Sequence, residues 1–98
     1  ASGLIAPIVG HVGDGNFHLV VLFDPNDPLE RAKAEDLAKR VSLRAIAMGG
    51  TCTGEHGIGV HKLDALIAEH GAAVELMKSI KRALDPRNIL NPGKTVPP

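Results

Sequence analysis

Four side chains in this 98-residue sequence are of the types that metal-assisted redox chemistry uses: His11, His18, Glu55 and His56. His11 and His18 bracket a glycine-rich stretch, HVGDGNFH over 11–18. Asp14-Gly15 within it is a strong two-residue hairpin signal, because both positions of that turn need positive φ. With those two residues as the turn, Gly13 faces Asn16, Val12 faces Phe17 and His11 faces His18. Cross-strand partners share a face with Cβ atoms about 4.5–5.5 Å apart, so both imidazoles point the same way. Two neutral imidazoles converging on one point suit a zinc or manganese ion. The plainer alternative is a pair of half-buried histidines that hold a hairpin together.

A third donor has to come from elsewhere, and Glu55 is the obvious candidate. It stands in GEHGIG over 54–59, where three glycines fall within six residues. Such a density of glycine lets backbone approach a ligand closely and builds core poorly. Two histidines and one glutamate with an open position are typical of catalytic metal centres, whereas structural zinc sites usually close with four ligands. His56 is next in the chain and suits a general base, since imidazole exchanges a proton near neutral pH. The alternatives for this segment are a tight structural loop or a phosphate cradle. A dinucleotide fingerprint has the order G-x-G-x-x-G after a strand, and the order here is G-x-x-G-x-G. Asp14 is explained by its turn, Cys52 as a small buried hydrophobe, and His61 and His70 as solvent-facing helix residues. Asn91 and Lys94 are ambiguous on chemistry alone.

The elements that must position these groups follow from the apolar pattern. Segments 4–9 and 17–23 fit two strands, the first an edge strand because of Pro7. Asp27 is placed to cap a helix, with Pro28 at its first position and Glu30 closing a capping box. Leu37, Val41, Ala45 and Met48 follow at helical spacing, widened by Ala34 and Ala38, until Gly49-Gly50 ends the helix. Residues 51–53 are expected to form a short third strand. A second helical region spans 62–84, with Gly71 as a break, and Asp85-Pro86 stops it. The order β-β-α-(β)-α predicts an α+β fold: an antiparallel sheet with helices packed on one face.

Composition narrows the function. Eleven basic and eleven acidic residues cancel, and Phe17 and Phe23 are the only aromatics. Neither a basic stripe nor a stacking platform is present, so nucleic acid is not an expected partner. A single cysteine permits no internal disulfide and gives no argument for export. The longest aliphatic or aromatic run, 19–23, is far too short for a transmembrane segment. Ala1-Ser2-Gly3 offers neither an initiator Met nor a signal pattern, and the abrupt apolar start suggests a fragment. The expected location is the cytoplasm, with or without peripheral contact to a membrane.

Taken together, HVGDGNFH (11–18), GGTCTGEHGIG (49–59) and LDPRNILNPGK (84–94) resemble the C-terminal part of the FAD-linked oxidases. That family includes cytochrome-type D-lactate dehydrogenases, the D subunit of glycolate oxidase and D-2-hydroxyglutarate dehydrogenases. The resemblance implies that His11, His18 and Glu55 bind a divalent metal, Zn or Mn, and that His56 removes the substrate hydroxyl proton. It implies FAD as the redox cofactor, with Asn91 and Lys94 near the flavin. It further implies that 1–98 is a C-terminal fragment of the substrate (cap) domain, ferredoxin-like in fold, with the FAD-binding domain absent. Val20 is apolar where a polar residue would favour a second substrate carboxylate, which points to D-lactate or glycolate oxidation to the 2-oxo acid. The electron acceptor would be a cytochrome or a quinone.

Two other readings stand beside this one. The fragment could be a metal-binding or subunit-contact module whose cut edge drives self-association. The histidines and Glu55 could also be no more than a hydrogen-bond network.

Overall fold

Residues 3–98 are described by a computed structural model, so the reading of Ala1 and Ser2 lies outside the described residues. The two apolar segments near the start do pair. β1 (Ile8–Val9) runs antiparallel to β2 (His18–Leu19), with Ile8 opposite Leu19 and Val9 opposite His18. The N–H of Val20 donates to the Pro7 carbonyl at 2.9 Å, and that of Leu22 to the Ile5 carbonyl at 2.9 Å, so the ladder continues outward. Pro7 contributes only its carbonyl there, the one backbone group it has to offer.

The register differs from the expected one: His18 faces Val9, not His11. The cause lies in the turn. Val12–Asp14 form one turn of 3-10 helix, and the His11 carbonyl accepts from the N–H groups of both Asp14 (2.9 Å) and Asn16 (3.2 Å). Only Gly15, at φ +74°, enters the left-handed region, whereas the two-residue turn would have forced Asp14 there as well. The wider loop brings the chain back across Gly10. A Cβ on Gly10 would lie 2.8 Å from both the Asn16 carbonyl oxygen and Phe17 Cα, and its φ is +145°.

α1 (Pro28–Ala47) begins as its sequence requires. The Asp27 carboxylate accepts from the N–H groups of Leu29 (3.0 Å) and Glu30 (3.4 Å). Glu30 does not close the box on Asp27; its carboxylate accepts from the N–H of Asp24 at 2.8 Å and so fixes the approach to the helix. Ala34 is buried, Leu37, Val41 and Ala45 are half-buried, and Ala38 and Met48 are exposed. At the far end, the N–H of Gly50 reaches the Ala45 carbonyl and that of Gly49 the Ile46 carbonyl. This is a Schellman closure, which the left-handed Gly49 permits.

Gly71 divides the second helical region into α2 (Leu63–His70) and α3 (Ala73–Leu84). α1 packs on α2, and α2 on α3. Residues 51–53 are not a strand. The backbone of Cys52 is engaged by side chains at α2, its N–H by Glu69 within the helix and its carbonyl by Lys62 just before it, in place of a strand partner. Among the described residues the fold is therefore three helices with a small two-stranded antiparallel sheet, mostly helical with minor β. His61 lies in the turn before α2, outside any helix.

Among the described residues, the buried apolar ones are Ala34, Cys52, Leu66 and Val74. The accessible surface is 7180 Å², against roughly 5,400 Å² for a compact monomer of this mass. The radius of gyration is 15.5 Å, against about 13 Å for a compact domain of this length. Leu76, Ile80 and Leu84 form an uncovered apolar ridge along α3, with Leu84 79% exposed.

Candidate active site

The GEHGIG loop is held by the segment before it. Burial of Cys52 brings its N–H to the Glu69 carboxylate at 2.8 Å and its carbonyl to Lys62 Nζ at 3.2 Å. The Thr51 hydroxyl donates to the same Glu69 oxygen at 2.8 Å. The Cys52 N–H, helped by the Thr51 hydroxyl, holds the Glu69 carboxyl below its usual range. Burial, and then the neighbouring Glu69, push the Cys52 thiol up. Across the loop, the Thr53 hydroxyl donates to the Gly57 carbonyl at 3.0 Å, which brackets Glu55 and His56 in one tight turn. Gly57 takes φ +80° there.

This loop meets the hairpin. His11 Nε2 lies 3.8 Å from Glu55 Oε1. The rings of His18 and His56 lie 4.8 Å apart between centroids, tilted by 42°. Asn16 Nδ2 donates to Glu55 Oε1 over a long 3.5 Å. His18 is half-buried, whereas His11, Glu55 and His56 are exposed. His11, His18, Glu55 and His56 thus form two adjacent pairs where the two motifs touch.

Two imidazoles and a carboxylate are donor types that divalent metals take. Two ligands at about 2.1 Å from a tetrahedral ion stand roughly 3.4 Å apart, so His11 and Glu55 lie a few tenths of an ångström beyond that spacing. Among the described residues, no three His, Cys, Asp or Glu side chains are arranged to hold an ion.

The third motif builds the chain's exit. Asp85 closes α3 and is buried; its carboxylate accepts from Lys81 Nζ and from the N–H groups of Ile89 (3.1 Å) and Leu90 (2.9 Å). Lys81 and these N–H groups hold its carboxyl well down, at about 2. Lys81 also donates to the Leu90 carbonyl, so one ion pair folds 85–90 back onto the helix. Asn91 and Lys94 occupy an exposed turn, with Asn91 at φ +44° and the Lys94 N–H on the Asn91 carbonyl at 3.3 Å. The next residue ties this turn to the site loop, the Thr95 N–H donating to the Gly59 carbonyl at 2.6 Å. Among the described residues, no hydrogen bond or ion pair joins the side chains of Asn91 or Lys94 to His11, His18, Glu55 or His56.

Asn16, Glu69 and Asp85 are not among the candidate site residues that the sequence suggests, although Asp85 is expected there as a helix stop. The first stands in plain view within the histidine motif, hidden by its ordinary role as a turn residue. Asp85 with Lys81 has i, i+4 spacing, a weak signal on its own.

Residues 1–95 match the family model for the C-terminal domain of FAD linked oxidases. The chain belongs to this family. Among curated relatives of this FAD-linked oxidase domain, the zebrafish (Danio rerio) probable mitochondrial D-lactate dehydrogenase is 50% identical over 97 residues, 98% of this chain and 20% of the relative. The mitochondrial D-lactate dehydrogenase [cytochrome] of Arabidopsis thaliana is 48% identical, over 100% of this chain and 18% of the relative. Glycolate oxidase subunit GlcD of Escherichia coli K12 is 41% identical, over 91% of this chain and 18% of the relative. The chain spans about a fifth of the length of these relatives. All three motifs lie inside the matched region, so the hairpin, the GEHGIG loop and the NPGK turn are features of an FAD-linked oxidase C-terminal domain. Among the described residues, no helix is long and apolar enough to cross a membrane.

Proposed function

We propose that this chain is the C-terminal part of an FAD-dependent dehydrogenase that oxidises a D-2-hydroxy acid of the D-lactate or glycolate type to the 2-oxo acid. His11, His18 and Glu55 hold a divalent metal, zinc or manganese, and His56 is the base. The observation that carries this reading is the meeting of two distant motifs, His11 on Glu55 at 3.8 Å and His18 on His56 at 4.8 Å. Residues 1–98 then belong to the substrate (cap) domain, as part of a ferredoxin-like layer, and a separate FAD-binding domain belongs to the same enzyme.

When bound, the metal supplies Lewis-acid activation of the substrate hydroxyl, and FAD supplies the hydride acceptor. The work of this chain is to bring the hydroxyl to His56 and take its proton on the imidazole. His18 stands against the His56 ring and limits its rotation. Val20, two residues beyond His18, leaves the substrate side without a polar partner for a second carboxylate. The bond from Thr95 to Gly59 keeps the turn carrying Asn91 and Lys94 next to the loop, which supports a place for both beside the flavin. A cytochrome or quinone accepts the electrons, in keeping with the word cytochrome in the name of the Arabidopsis relative. The enzyme works in the cytoplasm or peripheral to a membrane, or in mitochondria as the zebrafish and Arabidopsis names indicate for those proteins.

The test is turnover of the flavin-containing enzyme with D-lactate and glycolate. His56→Ala is expected to lower kcat by roughly 10²–10⁴, the usual share of a general base. Wild-type kcat in that variant would overturn the role of His56.

The uncovered apolar ridge of α3 favours a second reading, a non-catalytic metal-binding or self-association module. Sedimentation separates the two: a monomer at micromolar concentration counts against the module.

A further inference from the structure

We propose that Asn16 is a positioning residue that fixes the Glu55 carboxylate, and that Gly54 is glycine to make room for it. The inference rests on the reading of Glu55 as a metal ligand. Gly54 is not in the left-handed region, so its missing side chain answers a need for space and not for conformation. A Cβ placed on Gly54 would lie 2.0 Å from Asn16 Oδ1 and 2.8 Å from Asn16 Cγ. The carboxamide therefore fills the volume that any other residue at 54 would need. From that seat its Nδ2 faces Glu55 Oε1 at 3.5 Å, the same oxygen that faces His11 Nε2 at 3.8 Å. Glu55 is exposed, and the structure gives it no other hydrogen bond or ion pair among the described residues.

An unrestrained glutamate spreads its carboxylate over several rotamers, which weakens any ligand role. The Asn16 amide selects the one that faces His11. Because Asn16 lies between His11 and His18, the hairpin carries both imidazole donors and the group that orients the third donor. Asn16 is half-buried, its backbone N–H is held by the His11 carbonyl, and its carbonyl oxygen passes close to Gly10. The carboxamide is thus anchored from the hairpin side.

The test is calorimetric zinc titration of the chain, its Asn16→Ala and Gly54→Ala variants, and the double variant. Each single substitution is expected to lower zinc affinity by about 10–100-fold, as loss of a group supporting a metal ligand does. The double variant should be no weaker than Asn16→Ala, because the alanine methyl then has no carboxamide to displace. Asn16→Ala within about twofold of wild type, or additive losses in the double variant, would overturn the proposal. NMR of the Asn16 side-chain amide, in a spectrum that also reports folding, gives a metal-independent readout. Its resonances should move in Glu55→Gln and in Gly54→Ala, and unmoved resonances would overturn the proposal. A chain that binds no zinc yet shows those shifts contradicts the metal reading and leaves the positioning role standing.

Discussion

The imidazoles of His18 and His56 face one another 4.8 Å apart, one from a hairpin strand and the other from a glycine-rich loop. His18 is the more buried of the two, half-buried where His56 is exposed. The proposed ligand and the proposed base are therefore in direct contact, and each constrains the ring orientation of the other.

That contact separates packing from ligation at position 18. His18→Phe keeps an aromatic ring against His56 but removes the nitrogen donors. The expected result is loss of metal binding, with stability within about 1.5 kcal/mol of wild type, as for shape-conserving changes. Chemical denaturation and metal analysis of the same sample check both parts.

Gly10 is where the hairpin crosses itself. Gly10→Ala puts a methyl 2.8 Å from the Asn16 carbonyl oxygen and Phe17 Cα at a φ of +145°. Such backbone strain costs about 1–3 kcal/mol. A drop in the denaturation midpoint of that order is expected, together with weaker metal binding, because His11 and Asn16 both follow from this crossing.

Glu69 holds the loop from behind. Glu69→Ala leaves the N–H of Cys52 without its acceptor, at a cost of about 1–3 kcal/mol for a buried donor. It also removes the negative neighbour that helps to raise the Cys52 thiol. Cys52 should then react faster with a thiol reagent such as DTNB. An unchanged labelling rate would show that Glu69 does not keep the segment closed.

Asp85 sets an acid limit on the tail. Its carboxyl titrates at about 2 in the fold, below an ordinary value of 3.8, chiefly through Lys81. A depressed carboxylate contributes stability that is fully present above the ordinary value and is lost as pH falls through the folded one. Asp85→Asn should therefore be less stable than wild type at neutral pH. The gap between them should shrink as pH falls from about 4 to about 2, as measured by urea unfolding across that range.

Much of this was legible in the sequence because the deciding physics is local. Asp27 and Pro28 start α1 through orphan N–H groups, and Gly49 ends it through a left-handed closure. Neither depends on distant contacts. Gly71 divides α2 from α3 for the same local reason. The hairpin register was not legible. The Asp-Gly signal suits a two-residue turn, but Val12–Asp14 form a 3-10 turn closed by Gly15, so the loop is longer and His18 lies opposite Val9. The third strand failed because Glu69 of α2 and Lys62, the residue before that helix, took the backbone groups of Cys52. At the site, residue type and glycine density pick out the two histidines, Glu55 and His56, and the structure places them in two adjacent pairs. The seat of Asn16 over Gly54 was not legible, since it exists only once the loop and the hairpin meet.

The most direct test of the account is elemental analysis of the flavin-containing enzyme, prepared with zinc or manganese, beside its His11→Ala and Glu55→Ala variants. The account predicts close to one metal ion per chain in the wild type and almost none in either variant. A wild-type enzyme that turns over D-2-hydroxy acids without bound metal, or variants that keep the full metal content, would contradict it.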